Sequence, residues 1–309
     1  MPFPSPSAFV PDLNDWQFYY NGVYMGEGTP YATLSITGLS ASTIRSGDTG
    51  RELDQGEFMG IDLYGGRDVT ISLWVGASGG ESLQSLLSTL SGAFTVAGTT
   101  STPFYFQLPS LPLLCVMLRP RKYATPIDLD YGAASVGKPQ ASLHGVDPRV
   151  YVAPTTASVV DLSPPVGGLT FPITFPVSFG GGAYGEIDLD NSGDFEMRPV
   201  LTITGPCTNP TVANDTITGG PVLTFSNPAQ TSFTLNSGDT LAIDLDFQSV
   251  IYTPDGGDTG SYVPGWVVPG STWWNLIPGV NEIQFGSSDA GMVAGFLTVD
   301  WTPAYSAAT

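Results

Sequence analysis

The sequence predicts a mainly β protein built from two domains, and three observations support this prediction. The chain has 309 residues, about twice the ~150 residues of a typical domain. Gly (38) and Pro (27) are abundant while only 12% of the residues are charged, which is typical of turn-rich structures. Short stretches of alternating apolar and polar residues recur at spacings of roughly ten residues. With 41% hydrophobic residues, the chain also has enough apolar material for two cores.

The first half begins with a proline-rich segment followed by a hairpin. Asn21-Gly22 between aromatic residues predicts a two-residue turn with positive φ at both positions. Alternation then predicts strands at about 31–38 and 68–76, and the absence of proline from Tyr31 to Thr102 favours uninterrupted strand pairing. Further strands are expected at FYFQL, LLCVMLRP and RVYVA.

The segment ESLQSLLSTLSGAF has the period of an amphipathic helix. Four leucines fall on one face of this helix, namely Leu83, Leu86, Leu87 and Leu90. Gly92 follows them and is expected to be the C-cap.

Residues 152–168, VAPTTASVVDLSPPVGG, have no sustained period and contain three prolines, which predicts a linker. An N-terminal domain of residues 1–151 and a C-terminal domain of residues 169–309 follow from this boundary. The short strands of the second half favour an antiparallel β-sandwich. Its core positions follow from the period of two, and they are expected at Leu235, Leu241, Ile243, Leu245, Ile283 and Phe285.

The charge excludes some classes of function. Lys and Arg total 9 against 28 Asp and Glu, a net charge of −19, which argues against binding to a phosphate backbone. Residues 1–150 carry net −5 and residues 151–309 net −14, so the two domains are expected to have different neighbours. No apolar run approaches the ~18 residues that span a bilayer, and no membrane insertion is expected. The proline-interrupted start lacks the basic region of a secretory signal.

Residues 76–80 match G-x-S-x-G between a strand and the helix, with Ser78 in the position of a nucleophile. His144 lies downstream, with Asp128 and Asp130 between. A hydrolase of this type needs alternating strands and helices, so a flexible Gly/Ser turn is the preferred interpretation. With one histidine, and with Cys115 and Cys207 92 positions apart, no metal site, cofactor or enzymatic activity is expected.

Two further stretches permit more than one interpretation. Asp188–Glu196 resembles the start of a calcium loop, but Pro199 stands where the bidentate Glu belongs, so a hairpin turn is preferred. Trp266, Trp273 and Trp274 could stack on sugars or fill a sandwich core. The turn Ser237-Gly238-Asp239, the turn Pro278-Gly279 and the two adjacent tryptophans are expected to shape one end of the sandwich.

Eight of the nine cations lie between Arg45 and Arg149, interleaved with acidic residues. Mixed charges of this kind suit a repeated head-to-tail contact between copies. The candidates for ion pairs between subunits are Arg45, Arg51, Arg67, Arg119, Arg121 and Lys122.

Ordered motifs in the second half resemble a phage protein family. They are GDFEMRPVLTITGPCTNPTV, SGDTLAIDLDFQSV, STWWNLIPGVNEIQF and AGFLTVDWTPAY; in the first half GxxDVTISLWV and VDPRVY agree with them. The chain resembles the distal tail proteins, or minor tail proteins, of long-tailed, non-contractile actinobacterial phages. The structural signature that the resemblance marks comprises Gly238, Asp239, Trp273, Trp274, Pro278, Gly279 and Asn281.

The resemblance implies a virion protein at the tail tip. It implies an N-terminal split-barrel or β-sandwich domain with one helix that forms a hexameric ring, and an outward-projecting, galectin-like C-terminal sandwich. The ring would join the tail tube to the tail-tip hub and support host-adsorption components. Expected partners are the tail tube protein, the hub, other minor tail proteins and the tape-measure protein, with DNA only as passing cargo. The alternatives are a stand-alone carbohydrate-binding β-sandwich and a secreted β-sandwich hydrolase.

Overall fold

The computed structural model describes residues 9–40, 42–77, 80–96, 98–127, 130–131, 135–163, 183–230, 232–257, 259–289 and 294–308. These residues form antiparallel sheets with a single α-helix, which confirms the predicted mainly β fold. The chain divides into two units. The first unit runs to Pro154 and includes the segment that begins at Tyr305, and the second is Thr155–Ala304.

The described strands and the helix of the first unit are as follows: β1 (Gln17–Tyr20), β2 (Val23–Gly26), β3 (Tyr31–Thr37), β4 (Ile44–Arg45), β5 (Thr49–Gly50), β6 (Glu57–Phe58), β7 (Leu63–Tyr64), β8 (Arg67–Gly76), α1 (Leu83–Ala93), β9 (Thr102–Gln107), β10 (Leu114–Ala124), β11 (Val136–Gly137), β12 (Gln140–Gly145) and β13 (Val150–Val152).

One sheet organises the first unit, in the order β11-β8-β12-β10-β9-β1-β2, with β3 also paired to β8. The first half of β10 pairs with β9 and the second half with β12, so this single strand joins the two halves of the sheet. The turn between β1 and β2 has positive φ at Asn21 (44°) and Gly22 (90°), as predicted. Alternate residues of β8 are buried, which confirms its period of two.

The chain segment between β3 and β8 does not join the main sheet, although the lack of proline favoured continuous pairing. Residues 43–64 instead form two short ladders, β4 with β7 and β5 with β6. Every residue from Thr43 to Tyr64 is exposed except Gly60. A stretch that buries no side chain gains little from a long ladder, and proline content does not report on burial.

Helix α1 packs its predicted leucine face into the core, since Leu83, Leu86, Leu87 and Leu90 are all buried. Its N-cap is Ser82, whose Oγ accepts a hydrogen bond from the Ser85 amide (3.2 Å). The prediction that Gly92 caps the C-terminus is wrong, because the helix continues to Ala93 and Phe94 is the cap. The buried Phe94 ring stacks on Tyr20, with 5.5 Å between the centroids, so tertiary packing sets this end.

The second unit contains β14 (Thr156–Asp161), β15 (Ala183–Asn191), β16 (Val200–Thr204), β17 (Cys207–Thr208), β18 (Thr211–Asn214), β19 (Val222–Thr224), β20 (Thr234–Leu235), β21 (Thr240–Asp244), β22 (Ser249–Thr253), β23 (Ser261–Tyr262), β24 (Gly279–Ser287) and β25 (Phe296–Trp301); β26 (Ala304–Tyr305) follows at its end. Two antiparallel sheets have the orders β14-β25-β16-β21-β22-β23 and β15-β24-β18-β19. All six predicted core residues of this unit are buried, as a β-sandwich requires.

The predicted linker and the C-terminal boundary both differ from the structure. Residues Thr156–Asp161 form β14, which pairs along its length with β25. The part of the predicted linker from residue 164 to 168 lies outside the described residues. The chain after Ala304 belongs to the first unit, where Ala308 is buried and donates its amide hydrogen to the Leu39 carbonyl (3.1 Å).

Candidate functional site

The residues that match the serine-hydrolase pattern are not brought together where the structure describes them. Ser78 and Asp128 lie outside the described residues. Asp130 pairs with the Lys138 ammonium (2.5 Å), whereas His144 Nδ1 pairs with Asp68 Oδ1 (2.6 Å) across β12 and β8. His144 and Asp130 therefore each have a different partner, and the described geometry contains no hydrolytic triad.

The acidic stretch Asp188–Glu196 lies at the end of β15 and in the turn that follows it. Asp188 and Asp190 are exposed on alternate positions of β15, and the buried Asn191 holds the turn that follows. Asn191 Nδ2 donates to the Phe195 and Leu276 carbonyls, and its Oδ1 accepts from the Gly193 and Ala304 amides. Among the residues that the structure describes, no cluster of three acidic, His or Cys side chains could hold a metal ion.

The two cysteines are free and buried. Burial, reinforced by the Asp289 carboxylate, raises the pKa of Cys207 to about 12. Burial and, to a smaller extent, the charge of Asp147 raise the pKa of the Cys115 thiol well above its ordinary value. Both thiols are therefore protonated near neutral pH, which suits side chains that fill space. No helix in the described parts of the chain is long and apolar enough to cross a membrane.

The tryptophans have different environments. Trp274 is 3% exposed, which confirms the expectation that one of the adjacent pair fills the core. Trp273 is half-buried and borders a shallow groove of about 360 Å³ together with Glu196 and Asn275. Trp266 packs against the rings of Phe233 and Tyr252, each with a centroid distance of 5.0 Å. Trp266 and Trp273 are both half-buried, but Trp266 packs on two rings, whereas Trp273 borders the groove.

Buried asparagines organise the segment that carries the second half of the signature. Asn281 is fully buried; its Nδ2 donates to the Ile277 carbonyl (2.7 Å) and the Gly279 carbonyl (2.8 Å), and its Oδ1 accepts from the Ile277 amide (2.9 Å). Asn214 adds a hydrogen bond to Asn281 Oδ1 (3.1 Å). Gly279 has φ +93°, a conformation that favours glycine. Pro278-Gly279 is thus a turn held from inside by an amide side chain.

The first signature pair, Gly238-Asp239, fastens another turn. Asp239 Oδ2 accepts from the backbone and side-chain amides of Asn236 (2.9 and 3.0 Å), and Oδ1 accepts from the Asp255 amide (2.9 Å). Burial raises the pKa of Asp239, but these hydrogen bonds and one from Tyr252 outweigh it and lower the pKa below its ordinary value. The signature residues Asp239, Trp274, Gly279 and Asn281 therefore stabilise the fold, through turns or through the core.

An exposed hairpin in the first unit is the feature that sequence reasoning missed. We call residues 43–65 the arm; it leaves the sheet after β3 and returns to it at β8. Its exposed large apolar side chains are Ile44, Leu53, Phe58, Met59, Ile61, Leu63 and Tyr64. The Asp48 carboxylate accepts from the Gly60 amide (2.7 Å), which together with Ser46 lowers the pKa of Asp48. Isolated apolar residues between Gly and Asp residues, without a sustained period, are the signal that could have revealed it.

The six candidate cations separate into three groups. Arg67 is fully buried and donates hydrogen bonds to the carbonyls of Gly38, Leu39, Pro148 and Ser306. Its assignment to an intersubunit ion pair is therefore wrong, because distant carbonyls enclose it within its own unit. Arg51 is on the arm, where it pairs with Asp54 (3.6 Å) and lies over the Phe58 ring. Arg45 is also on the arm and is exposed.

The remaining three cations lie close together in sequence on one strand, β10. We call Arg119, Arg121 and Lys122 of β10 the basic patch. Arg121 and Lys122 are exposed and Arg119 is half-buried, and none of the three forms an ion pair with any carboxylate of the described residues. Arg119 Nε is buried and finds no hydrogen-bond partner within the described parts of the chain. The patch thus presents unneutralised positive charge on an acidic chain.

Comparison with known proteins gives a fold relationship. No protein-family model and no curated protein matches the chain. Among solved structures, it is similar to the Dit protein of phage SPP1, described as a paradigm of the hub adsorption apparatus in phages that infect Gram-positive bacteria. This match has 13% identity and a TM-score of 0.60, and it covers 93% of this chain and 98% of the other. Two structures of the phage P2 baseplate in its activated conformation, with Ca and with Sr, match at 12% and 11% identity with TM-scores of 0.48; each match covers 92% of this chain and 97% of the other.

Proposed function

We propose that this chain is a structural protein of the phage tail tip, a distal tail protein whose copies form a hexameric ring. The ring joins the tail tube to the tail-tip hub and supports the components that adsorb to the host. The observation that carries this proposal is the fold similarity to SPP1 Dit, which extends over 93% of this chain and 98% of that protein. A match of this extent includes both units rather than a common sandwich alone.

The ordered motifs provide independent support. They include residues with specific folding roles, such as Asn281 and Asp239, so the resemblance rests on positions that the fold needs. The same motifs are the reason to propose a non-contractile phage of actinobacteria as the source. The partners proposed on this basis are the tail tube protein, the hub, other minor tail proteins and the tape-measure protein.

We propose no enzymatic activity and no cofactor. His144 and Asp130 each have another partner, and the buried thiols are protonated. The net charge of −19 favours a surface along which DNA passes without being retained. The proposed location is the virion, at the tail tip.

The test is the assembly state of the purified chain and its place in the virion. Mass photometry should detect a hexamer of about 194 kDa, six times the 32.4 kDa chain, and negative-stain images should show rings. Antibody labelling of virions should mark the tail end distal to the capsid. A chain that stays monomeric at all concentrations and is missing from virions would contradict the proposal and favour a stand-alone carbohydrate-binding module, for which glycan-array binding is the positive test.

A further inference from the structure

We propose that the arm of one copy binds the basic patch of the next copy, and that this contact closes the ring; the inference rests on the proposed function. The two surfaces belong to the same unit but differ in chemistry. The arm is acidic and apolar, and the basic patch is cationic. A contact between two different surfaces of identical chains is head-to-tail, the type that generates rings.

The arm has the composition of an interface that lacks its partner. Leu53 is 100% exposed, Met59 95% and Ile61 78%. Monomeric proteins rarely leave several large apolar side chains uncovered in one stretch, and contiguous groups of this kind mark interaction sites. The ladders within the arm are only two residues long, and they leave these apolar side chains exposed to solvent.

The charges of the two surfaces are complementary. The arm contains two arginines and five carboxylates, net −3, and Asp54 is the carboxylate that pairs with Arg51. The other four carboxylates, Asp48, Glu52, Glu57 and Asp62, form no ion pair with the described residues. The basic patch carries three cations that are equally unneutralised. In a chain of net charge −19, these cations are the natural attachment point for an acidic segment of another copy.

In the described residues, no ion pair joins the arm to the basic patch of the same copy. Arg119 lies opposite His144, which lies opposite Asp68, and Lys122 lies opposite Ser142, which lies opposite Thr70. The patch therefore runs from Arg119 to Lys122 in the same direction as β8 runs from Asp68 to Thr70. The arm joins β8 before Arg67, at the end of β8 that lies level with Arg119, and its side chains stay exposed there.

The arm is also long enough to reach a neighbour. About ten extended residues on each side of its tip span roughly 33 Å. A unit of about 150 residues has a radius of gyration of roughly 15 Å. An arm of this length can therefore reach past the edge of its unit to an adjacent copy.

Charge reversal in the full-length chain tests the contact. In the arm variant, Glu52→Lys and Asp62→Lys reverse two unpaired carboxylates. In the patch variant, Arg121→Glu and Lys122→Glu reverse two exposed cations. Each variant alone should assemble at least ~10-fold more weakly than the native chain, as measured by mass photometry, and circular dichroism should show that both remain folded. Native assembly should also weaken as salt is raised.

Mixing the two variants distinguishes a contact between copies from one within a copy. A reversed arm finds a reversed patch only on the other variant, so an equimolar mixture should regain hexamers with alternating chains. The matched control for the arm variant, Asp188→Lys with Asp190→Lys on exposed positions of β15, makes the same change in charge as that variant and should assemble like the native chain. If the arm and patch variants each form hexamers as well as the native chain does, or if their mixture regains no hexamers, this inference is overturned and the proposed function still stands. A native chain that never assembles would overturn both.

Discussion

At the scale of single residues, buried amide and carboxylate side chains determine the shape of the loops in the second unit. Asn191, Asn214 and Asn281 are fully buried, and each is hydrogen-bonded mainly to backbone groups. A buried polar side chain is tolerated only when its hydrogen bonds are satisfied. These residues therefore specify particular turns, which explains why a motif without catalytic residues can be recognised in the sequence.

Trp274→Ala should lower the free energy of unfolding by about 3–5 kcal/mol, because truncation of a buried aromatic ring leaves a cavity. Trp274 is 3% exposed, whereas its neighbour Trp273 borders an open groove. Trp273→Ala is therefore the matched control and should cost less than about 2 kcal/mol. Urea denaturation followed by circular dichroism measures both values. Equal costs for the two variants would contradict the core assignment of Trp274.

The pKa of Asp239 predicts acid sensitivity. Burial opposes ionisation, but hydrogen bonds to the carboxylate lower the pKa in the folded chain below the ordinary value of 3.8. A lowered folded-state pKa contributes stability above the unfolded-state pKa, and this contribution is lost as the pH falls through the folded-state value. Asp239→Asn should thus be less stable than the native chain near neutral pH. The difference should shrink as the pH falls below the ordinary value of 3.8, as measured by denaturation at neutral and acidic pH; a constant difference would exclude this linkage.

At the scale of elements, burial decides which strands are long. β8 has ten residues, six of them buried, whereas β4 to β7 in the arm have two residues each and bury none. The pairing of β3 with β8 extends along both strands, whereas pairing within the arm is limited to two ladders of two residues each. The two sides of the arm approach closely at Gly47 and Gly60, where a Cβ on Gly60 would lie 2.1 Å from the Gly47 carbonyl oxygen, and the Gly60 amide donates to the Asp48 carboxylate (2.7 Å).

Hydrogen exchange should therefore separate the arm from the sheet that carries it. At concentrations where the chain is monomeric, amides of residues 44–64 should exchange within seconds, while the amides of β8 should be protected far longer because their opening exposes the core. Exchange followed by mass spectrometry measures this. In the hexamer the arm amides should become protected. Equal protection of the arm and β8 in the monomer would show that the arm is already packed against its own unit.

At the scale of the whole molecule, the two units have different electrostatic character. Thr155–Ala304 contains fifteen acidic residues and one cation, Arg198. Arg198 pairs internally with Asp246 (2.7 Å). Because like charges repel, copies of this unit are expected to gain little from contact with one another, whereas the first unit has both an acidic and a basic surface. Association between copies is expected in the first unit for this reason.

A fragment of residues 155–304 should accordingly be a folded, soluble monomer in light scattering, at low and high salt alike. The fragment must begin at Thr155, because a start at residue 160 would remove most of β14 and expose β25. The full chain, measured beside it as the control, should associate. Self-association of the fragment would place the ring contact in the second unit.

The sequence by itself determined the features that depend on near neighbours along the chain. The Asn21-Gly22 turn, the alternation of β8, the leucine face of α1 and core residues such as Leu241 and Ile283 follow from backbone geometry and the period of burial. These signals lie within a few residues of the position that they describe. The predicted class of fold was correct for the same reason.

Only the tertiary structure decided the features that depend on distant groups. Arg67 is buried because carbonyls at Pro148 and Ser306 converge on it, and no local pattern distinguishes it from an exposed arginine. β14 is a strand because β25 lies beside it, and α1 ends at Ala93 because Phe94 packs on Tyr20. The arm and the basic patch became visible in the same way, since exposure and the lack of a partner are properties of a folded surface rather than of a residue and its neighbours in sequence.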